Sequence, residues 1–268
     1  MPLSVCATPI GNLEDITLRV LTELRSADLV LAEDTRHTRG LLQHHGIRAR
    51  LLSYHEHNEA ARVTELLPRL EAGERVALVS DAGLPAISDP GGRLVRAALD
   101  AGVEVTVLPG PSAVETALVA SGFAGDRYSF IGFLPRRAAE RDALWRELGT
   151  WSWPVVAFES PQRLHASLGS LAVADPERPV TVCRELTKRF EEVARGSAVE
   201  LAERFGEGTR GEVTLVIGPT AATDASRATE ARAAVADLVA AGTPRRVAAE
   251  VVARLTDMPR NDLYRHSL

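Results

Sequence analysis

Lys188 is the only lysine in a chain of 268 residues, and the other 30 of its 31 basic residues are arginines. Arginine use on that scale reads as a compositional bias that writes a guanidinium wherever a cation is needed. A lysine that escapes the bias is either chance or a position where a compact or titratable amine does something a guanidinium does not. Lys188 stands in CRELTKR (183–189), a mixed acidic and basic string just after the run PVTVC, with Arg184 and Glu185 beside it.

Other strings of unusual composition also follow apolar runs. TPIGN follows SVC, and its Pro9 and Gly11 restrict and open the backbone in turn; such a loop is either an ordinary turn or one that a ligand approaches closely. SDAGLPAISDPG (80–91) follows RVALV and is longer than an ordinary strand-to-helix turn. Its Asp81 could accept hydrogen bonds from ribose hydroxyls or an ammonium group, or it could serve as a helix cap. LPGPSA (108–113) brings Ser112 and Ala113 to a helix start. Loops at the carboxyl ends of parallel strands are where open α/β sheets bind ligands, and three of them favour one shared crevice. No Walker-type loop and no dinucleotide fingerprint is present. The ligand is therefore expected to be held by backbone groups and a carboxylate, without a polyphosphate anchor; an adenosyl cofactor fits that description.

AEDTRHTR (32–39) carries Glu33, Asp34, Arg36, His37 and Arg39. Asp34 or Thr35 reads as a helix N-cap. The two arginines then fall in the first turn, where cations oppose the helix dipole, and an anionic partner would offset that placement. His55 and His57 in SYHEHNE have a spacing that suits a metal, but no third ligand accompanies them, so no metal site is expected. FESPQR (158–163) adds Glu159 and Arg163 after a later strand.

The elements that must carry these loops follow from periodicity. SVCAT (4–8), ADLVLA (27–32), RVALVS (75–80) and VEVTVL (103–108) read as short strands buried on both faces. They alternate with helical stretches at 14–26, 35–46, 58–73 and 91–102, the pattern of an α/β unit with a parallel sheet. YSFIGF (128–133), PVVAFE (154–159), PVTVC (179–183), RFEEVAR (189–195) and EVTLVI (212–217) are more closely spaced and suggest a second α/β domain with a mixed sheet. The expected division is an N-terminal domain at 1–110, a second domain at 111–220 and a helical appendage at 221–268. In the appendage, TAATDASRA reads as a linker. Helices at 228–241, 244–255 and 260–267 follow, the second started by Thr243 and Pro244 and the third by Asp257 and Pro259.

Composition narrows the class. A formal charge of −5 with 45% hydrophobic and 25% charged residues belongs to an ordinary globular protein and argues against wholesale coating of nucleic acid. Cys6 and Cys183 are too few for a disulfide framework or a cysteine zinc site. No apolar run is long enough to span a membrane and no signal peptide opens the chain, so a cytoplasmic location is expected.

Read in order, TPIGNLEDIT, AEDTRHT, HNE, ALVSDAGLP, ISDPG, LPGPSA, GFLPR, FESP, RELTK and RGEVTLVI resemble the ribosomal small subunit methyltransferase I family of the tetrapyrrole methylase superfamily. The resemblance runs over residues 4–218 and continues into the C-terminal RRVAAEVVARLTDMPRNDLYRHSL. It implies a two-domain fold, usually a homodimer, with S-adenosylmethionine in the cleft. It also implies methyl transfer to the ribose 2′-hydroxyl of a cytidine in 16S rRNA of the assembled small subunit. By position, Pro9, Gly11, Ser80, Asp81, Ala82, Gly83, Ser112 and Ala113 would hold the cofactor, with Phe158 and Gly218 closing the adenosine pocket. Lys188 would act as base if neutral or stabilise the developing alkoxide if charged, with Glu185 orienting it. Arg36, His37, Arg39 and Arg184 would position RNA phosphates. The tail, with Arg245, Arg246, Arg254, Arg260 and Arg265, is either an element that grips RNA or subunit or a solvated helical appendage. Leu84 departs from a threonine frequent in the family, and Arg210 from an expected lysine. Two other readings remain open: a methylase of tetrapyrroles or other small substrates, and a noncatalytic ribosome-assembly factor.

Overall fold

The structure is a computed structural model, and it describes residues 2–206, 208–220, 224–256 and 258–265. Asp257 and the end of the expected 260–267 helix lie outside the described residues. The chain divides into two compact units, Met1–Pro219 and Thr220–Leu268.

The larger unit contains two five-stranded sheets. In the first, β1 (Leu3–Cys6), β2 (Leu29–Ala32), β3 (Leu51–Ser53), β4 (Val76–Val79) and β5 (Val105–Leu108) lie in the order β3-β2-β4-β1-β5 with every pair parallel. β1, β2 and β4 are buried throughout, as their unbroken apolar strings require. Two helices, α1 (Leu18–Ser26) and α2 (Thr35–His44), cover one face, where Val20, Leu24 and Leu41 pack on Val30 and Val79. The other face is covered by α3 (Glu59–Glu71) and α4 (Gly92–Asp100), through Leu66, Leu70 and Leu94 against Leu31 and Leu78.

Three details depart from the sequence reading. The helical stretch at 14–26 is a 3₁₀ turn at Leu13–Asp15 followed by α1, which restarts at the side-chain cap Thr17. The short edge strand β3 was not anticipated; three half-buried residues give too little periodicity to recognise. β5 is the opposite edge, so Val107 is 52% exposed where burial on both faces was expected.

The second sheet is mixed. Its strands are β6 (Ser129–Phe133), β7 (Val155–Glu159), β8 (Pro179–Arg184), β9 (Glu192–Ser197) and β10 (Val213–Ile217), in the order β6-β7-β10-β8-β9. β6 and β7 are parallel, whereas β10 runs antiparallel to both β7 and β8, and β9 antiparallel to β8. The ends of β6, β7 and β8 therefore lie on the same side as the start of β10. One face is covered by α6 (Ala138–Leu148), α7 (Leu164–Ala174) and α8 (Ala198–Arg204), where Trp145, Leu168 and Leu201 join the core. On the other face lies α5 (Ala113–Ser121), whose Val114, Ala117 and Leu118 pack on Val156, Cys183 and Val216.

The smaller unit comprises α9 (Asp224–Ala240), α10 (Arg245–Thr256) and α11 (Arg260–Arg265), which close on Val235, Ala248, Val252 and Leu263. α9 begins at Asp224, inside the stretch expected to be a linker, because Ala225, Ala228, Ala231 and their neighbours favour helix. Residues 221–223 of that stretch lie outside the described residues.

Candidate active site

The loops that follow β1 and β4 are joined to each other. Thr8 N donates to Gly83 O at 2.8 Å, Gly83 N returns a bond to Thr8 O at 3.1 Å, and Thr8 Oγ1 donates to Ser80 O at 3.0 Å. The long 80–91 loop is anchored a second time by Glu59, which is buried. Its Oε1 accepts from Gly91 N at 3.0 Å and from the Tyr54 hydroxyl at 2.9 Å. Beside these anchored loops lies a cavity of about 840 Å³ lined by residues of both sheets, within the range of small-molecule sites. Apolar side chains including Ile10, Phe130, Phe158 and Leu186 form one part of its wall, and Glu33, Asp81 and Asp89 another.

The three carboxylates shape the cavity's electrostatics. Burial and the neighbouring Glu33 push the Asp89 carboxyl up to about 6, against a hydrogen bond from Ser80. Burial and the Asp81 charge also raise Glu33. A bound cation would relieve this mutual repulsion, whereas a polyphosphate would aggravate it.

A smaller cavity of about 110 Å³ adjoins the first, and Ile10, Asp81, Ala82 and Glu212 belong to both walls. Lys188, His37, Pro9, Gly11 and Ser80 also line it. Lys188 Nζ lies 3.0 Å from Glu185 Oε1 and 3.0 Å from Glu212 Oε2. Burial opposes the charge, but the bonds to the two carboxylates outweigh it and hold the lysine pKa above its ordinary value. Glu185 is shifted the other way, chiefly by the Glu212 N–H that its Oε1 accepts at 2.8 Å and also by Lys188. Lys188 is therefore an ammonium fixed between two carboxylates, and the neutral-base alternative does not fit this environment.

The β8–β9 connection that presents Lys188 has Glu185 at φ +52° and Thr187 at φ +64°. The other positive-φ non-glycine residues among those described, Ala86 and Ser88, lie on the 80–91 loop. Each such residue costs on the order of 1–3 kcal/mol, and strain of this kind concentrates at functional sites. Two glycines admit the strained connection. A Cβ on Gly11 would stand 2.5 Å from Lys188 Cγ and 2.8 Å from Leu186 O; one on Gly211, at φ +89°, would stand 2.5 Å from Glu185 Cγ. What comes close to Gly11 is thus the lysine loop of the same chain, and Asn12 N donates to Thr187 Oγ1 at 2.9 Å to complete the junction.

Most of the expected cofactor residues meet at these two cavities. Asp81, Ala82, Gly83, Ser112, Ala113 and Phe158 line the larger; Pro9, Gly11 and Ser80 line the smaller. Gly218 lines neither. It follows the far end of β10, against Pro179 and Phe123, where its O accepts from Arg178 Nε at 2.8 Å. β10 is antiparallel, so its first residues, Val213 and Thr214, reach the cavity and its last do not.

Among the expected RNA residues, Arg36 already has an anion. It pairs with Asp34, the α2 N-cap, through Nε at 3.1 Å and Nη2 at 2.6 Å, and that pairing holds Asp34 well below the usual carboxylate range. The first-turn placement that called for an external anion is thus offset within the chain, although Arg36 remains 85% exposed. Arg39 is exposed. Arg184 bonds Glu192 at 2.9 Å and Arg210 O at 3.3 Å. His55 and His57 stack edge to face, and no cluster of three or more potential metal ligands occurs among the described residues. Both cysteines are buried, and burial raises their thiols, Cys6 to about 12 and Cys183 to about 11.

Sequence reasoning missed Glu212, Gly211, Asp89 and Phe133 as site residues. The first two precede β10, and nothing in RGEV reveals that this last strand inserts between β7 and β8 beside the lysine.

Comparison with known proteins agrees with this architecture. Residues 2–202 match the family described as Tetrapyrrole (Corrin/Porphyrin) Methylases. Uroporphyrin-III-C-methyltransferase from Thermus thermophilus, in a structure complexed with S-adenyl homocysteine, has a TM-score of 0.57 at 20% identity and covers 81% of this chain and 96% of its own. A diphthine synthase reaches a TM-score of 0.63 at 15% identity, covering 81% of this chain and 89% of its own. At those identities the likeness concerns the fold alone. Sequence relatives are nearer. "Ribosomal RNA small subunit methyltransferase I" of Micromonospora olivasterospora is 45% identical over 98% of this chain and 85% of its own length. The Synechocystis protein of that name is 43% identical over 99% and 97%, and that of Escherichia coli O157:H7 is 41% identical over 99% and 94%. Similar to these relatives along almost its whole length, the chain belongs to the ribosomal RNA small subunit methyltransferase I family of the tetrapyrrole methylases.

Proposed function

We propose that this protein transfers the methyl group of S-adenosylmethionine to the ribose 2′-hydroxyl of a cytidine in 16S rRNA of the small ribosomal subunit. The observation that carries the chemistry is the wall shared by the two cavities. A cofactor in the larger and a ribose hydroxyl in the smaller would meet beside Lys188. Kinship to the named relatives supports the choice of RNA as substrate.

The residues present fit the cofactor. The acidic wall of Glu33, Asp81 and Asp89 suits its cationic end, and the apolar wall of Phe130, Phe158 and Leu186 suits the adenosine. When bound, it supplies a methyl group already activated by a positive sulfur. The chain must align the acceptor and stabilise oxygen as it loses its proton. A fully protonated Lys188 has no lone pair to offer, so its part is to stabilise the developing alkoxide. Glu185 and Glu212 hold it by ion pairs, and Asp81, which lines both cavities, would receive the proton. His37 lines the smaller cavity with the lysine, Arg39 and the exposed Arg36 would meet RNA phosphates, and Arg184 would do so only by sharing its bonds to Glu192 and Arg210 O. The helical unit, rich in arginine, serves to grip the particle. We further propose that the protein works in the cytoplasm as a homodimer; no helix among the described residues is long and apolar enough to cross a membrane.

The test combines the purified protein, labelled S-adenosylmethionine and undermethylated small subunits, with nuclease digestion and mass spectrometry. Labelled 2′-O-methylcytidine is the expected product. Transfer to anionic porphyrinoids but not to subunits would select the small-substrate reading. Subunit binding without any turnover would select the assembly-factor reading.

A further inference from the structure

Phe133 ends β6 at the larger cavity and is 57% exposed. An aromatic ring in that position contributes little to the core, and strand alternation does not place it there. Residues three apart on a regular strand face opposite sides. Here Phe130 and Phe133 both line the cavity. The register against β7 shifts between them, and Gly132 occupies the shift at φ +68°. This is a bulge, which re-aims side chains at strand ends and beside active sites.

The re-aimed ring is also held. Phe158 meets Phe130 edge to face at 5.0 Å and Phe133 at 5.5 Å, so three rings form a continuous row along the wall. Phe130 and Phe158 are half-buried, and Phe133 is the member left open to solvent. Ser88 Oγ comes within 3.7 Å of the position a Gly132 Cβ would take, which brings the 80–91 loop, with its exposed Ile87, alongside the bulge. Directly after the ring the chain places Arg136 and Arg137, both exposed. Arg137 pairs with Glu140 at 3.2 Å at the surface, and Arg136 makes no such pair among the described residues. An open aromatic face followed within four residues by two exposed arginines complements a planar heterocycle on an anionic backbone.

We infer that Phe133 is the platform on which the pyrimidine of the target nucleotide stacks, with Arg136 and Arg137 on the flanking phosphates. The inference rests on the function proposed above and adds how the base is seized. An aromatic face accepts a base that has been turned out of its own stack, and it holds the attached ribose in place for reaction. Stacking tolerates any base, so this contact supplies grip, and discrimination falls to the polar groups deeper in the site.

The test uses the full-length chain and four proteins: wild type, Phe133→Ala, Phe133→Leu and Phe133→Trp. Each is assayed for methyl transfer to undermethylated small subunits and titrated calorimetrically with S-adenosylhomocysteine. Phe133→Ala is expected to lose about 5- to 150-fold in kcat/KM, the range for removing one stacked base contact. Phe133→Leu, which keeps apolar bulk but no π face, loses a comparable amount. Phe133→Trp restores most of the rate, and S-adenosylhomocysteine affinity falls far less than activity does in the variants, because the ring stands at the exposed rim of the cavity. The inference is overturned if Phe133→Ala keeps full kcat/KM, if Phe133→Leu matches wild type, or if cofactor affinity falls in step with activity. If wild type itself transfers nothing to subunits, the proposed function fails, and the stacking role fails with it.

Discussion

The two sheets of the larger unit serve one cavity by different means. In the first sheet all strands run the same way, so every strand-to-helix loop emerges on one side. TPIGN, AEDTRHT, the 80–91 loop and LPGPSA accordingly gather there without special provision. The second sheet reverses direction at β10 and again at β9, and brings to the same side a mixture of strand ends and strand starts. Its contributions are the end of β6 with Phe133, the end of β7 with Phe158, the β8–β9 hairpin with Lys188 and the start of β10 with Glu212. The parallel sheet offers backbone loops and acids suited to a cofactor. The mixed sheet offers the strained hairpin with Lys188, and its aromatic row completes the apolar part of the larger cavity's wall. A parallel sheet makes a binding rim almost automatically; an antiparallel strand is what places two residues distant in sequence, such as Glu185 and Glu212, on either side of one amine.

This division of labour is open to attack at its strongest point. Lys188→Ala is expected to lower kcat by roughly 100- to 1,000-fold, the effect of removing one preorganised donor. S-adenosylhomocysteine affinity should hold, because Lys188 lines the smaller cavity and not the larger one proposed for the cofactor. A parallel loss of cofactor affinity, read by calorimetry, would erase the distinction between the two cavities. Lys188→Arg should fare little better, since the planar guanidinium cannot replace a compact ammonium between the two carboxylates.

Next in size come two glycine substitutions, one on each side of the comparison. Gly218→Ala places a Cβ 2.9 Å from Pro179 O and 2.8 Å from its Cγ. It should destabilise by about 1–3 kcal/mol, the usual cost of overpacking, and leave cofactor affinity unchanged. Gly11→Ala pushes on the lysine loop instead, and the expected damage is to turnover. Denaturant melts beside transfer assays separate the two, and equal losses of turnover would deny that Gly218 stands away from the site.

A smaller effect concerns the acidic wall. The Asp89 carboxyl is raised to about 6, so between its ordinary value near 3.8 and pH 6 the folded chain binds more protons than the unfolded one. Stability of the cofactor-free protein should therefore fall as pH rises through that window. Asp89→Asn should flatten the profile while weakening a cationic ligand. A melting temperature that rises from pH 4 to pH 6 in wild type through this group would contradict the assignment.

Smallest is the contrast within α2. Arg39→Ala should reduce the slope of log affinity for small subunits against log salt by about one, as expected for one phosphate contact. Arg36→Ala should change it less, because Asp34 already engages that guanidinium. Equal slopes from filter binding at several salt concentrations would mean that RNA breaks the Arg36–Asp34 pair.

Much of the first sheet could be read directly. The strings VALV and LVLA are buried in it because a strand covered on both faces must be apolar throughout, and the loops after them follow from that alone. The lone Lys188 likewise stood out by composition as a candidate, and its place at the smaller cavity came from the fold. The ordered motifs also sufficed to place the chain in its family. Other features depended on the folded molecule. Glu212 and Gly211 acquire a role only because β10 enters between β7 and β8, a pairing of segments that local propensity does not specify. Gly218 loses the role expected of it for the same reason. The charge state of Lys188 depends on whether carboxylates stand within 3 Å, and the aim of Phe133 on one residue of register slip at Gly132. Sequence pattern alone determined which segments are buried and which loops are unusual, because hydrophobic periodicity and turn chemistry are local. Tertiary structure alone decided which of those loops face one another, because strand order and direction are set by contacts between residues far apart in the chain.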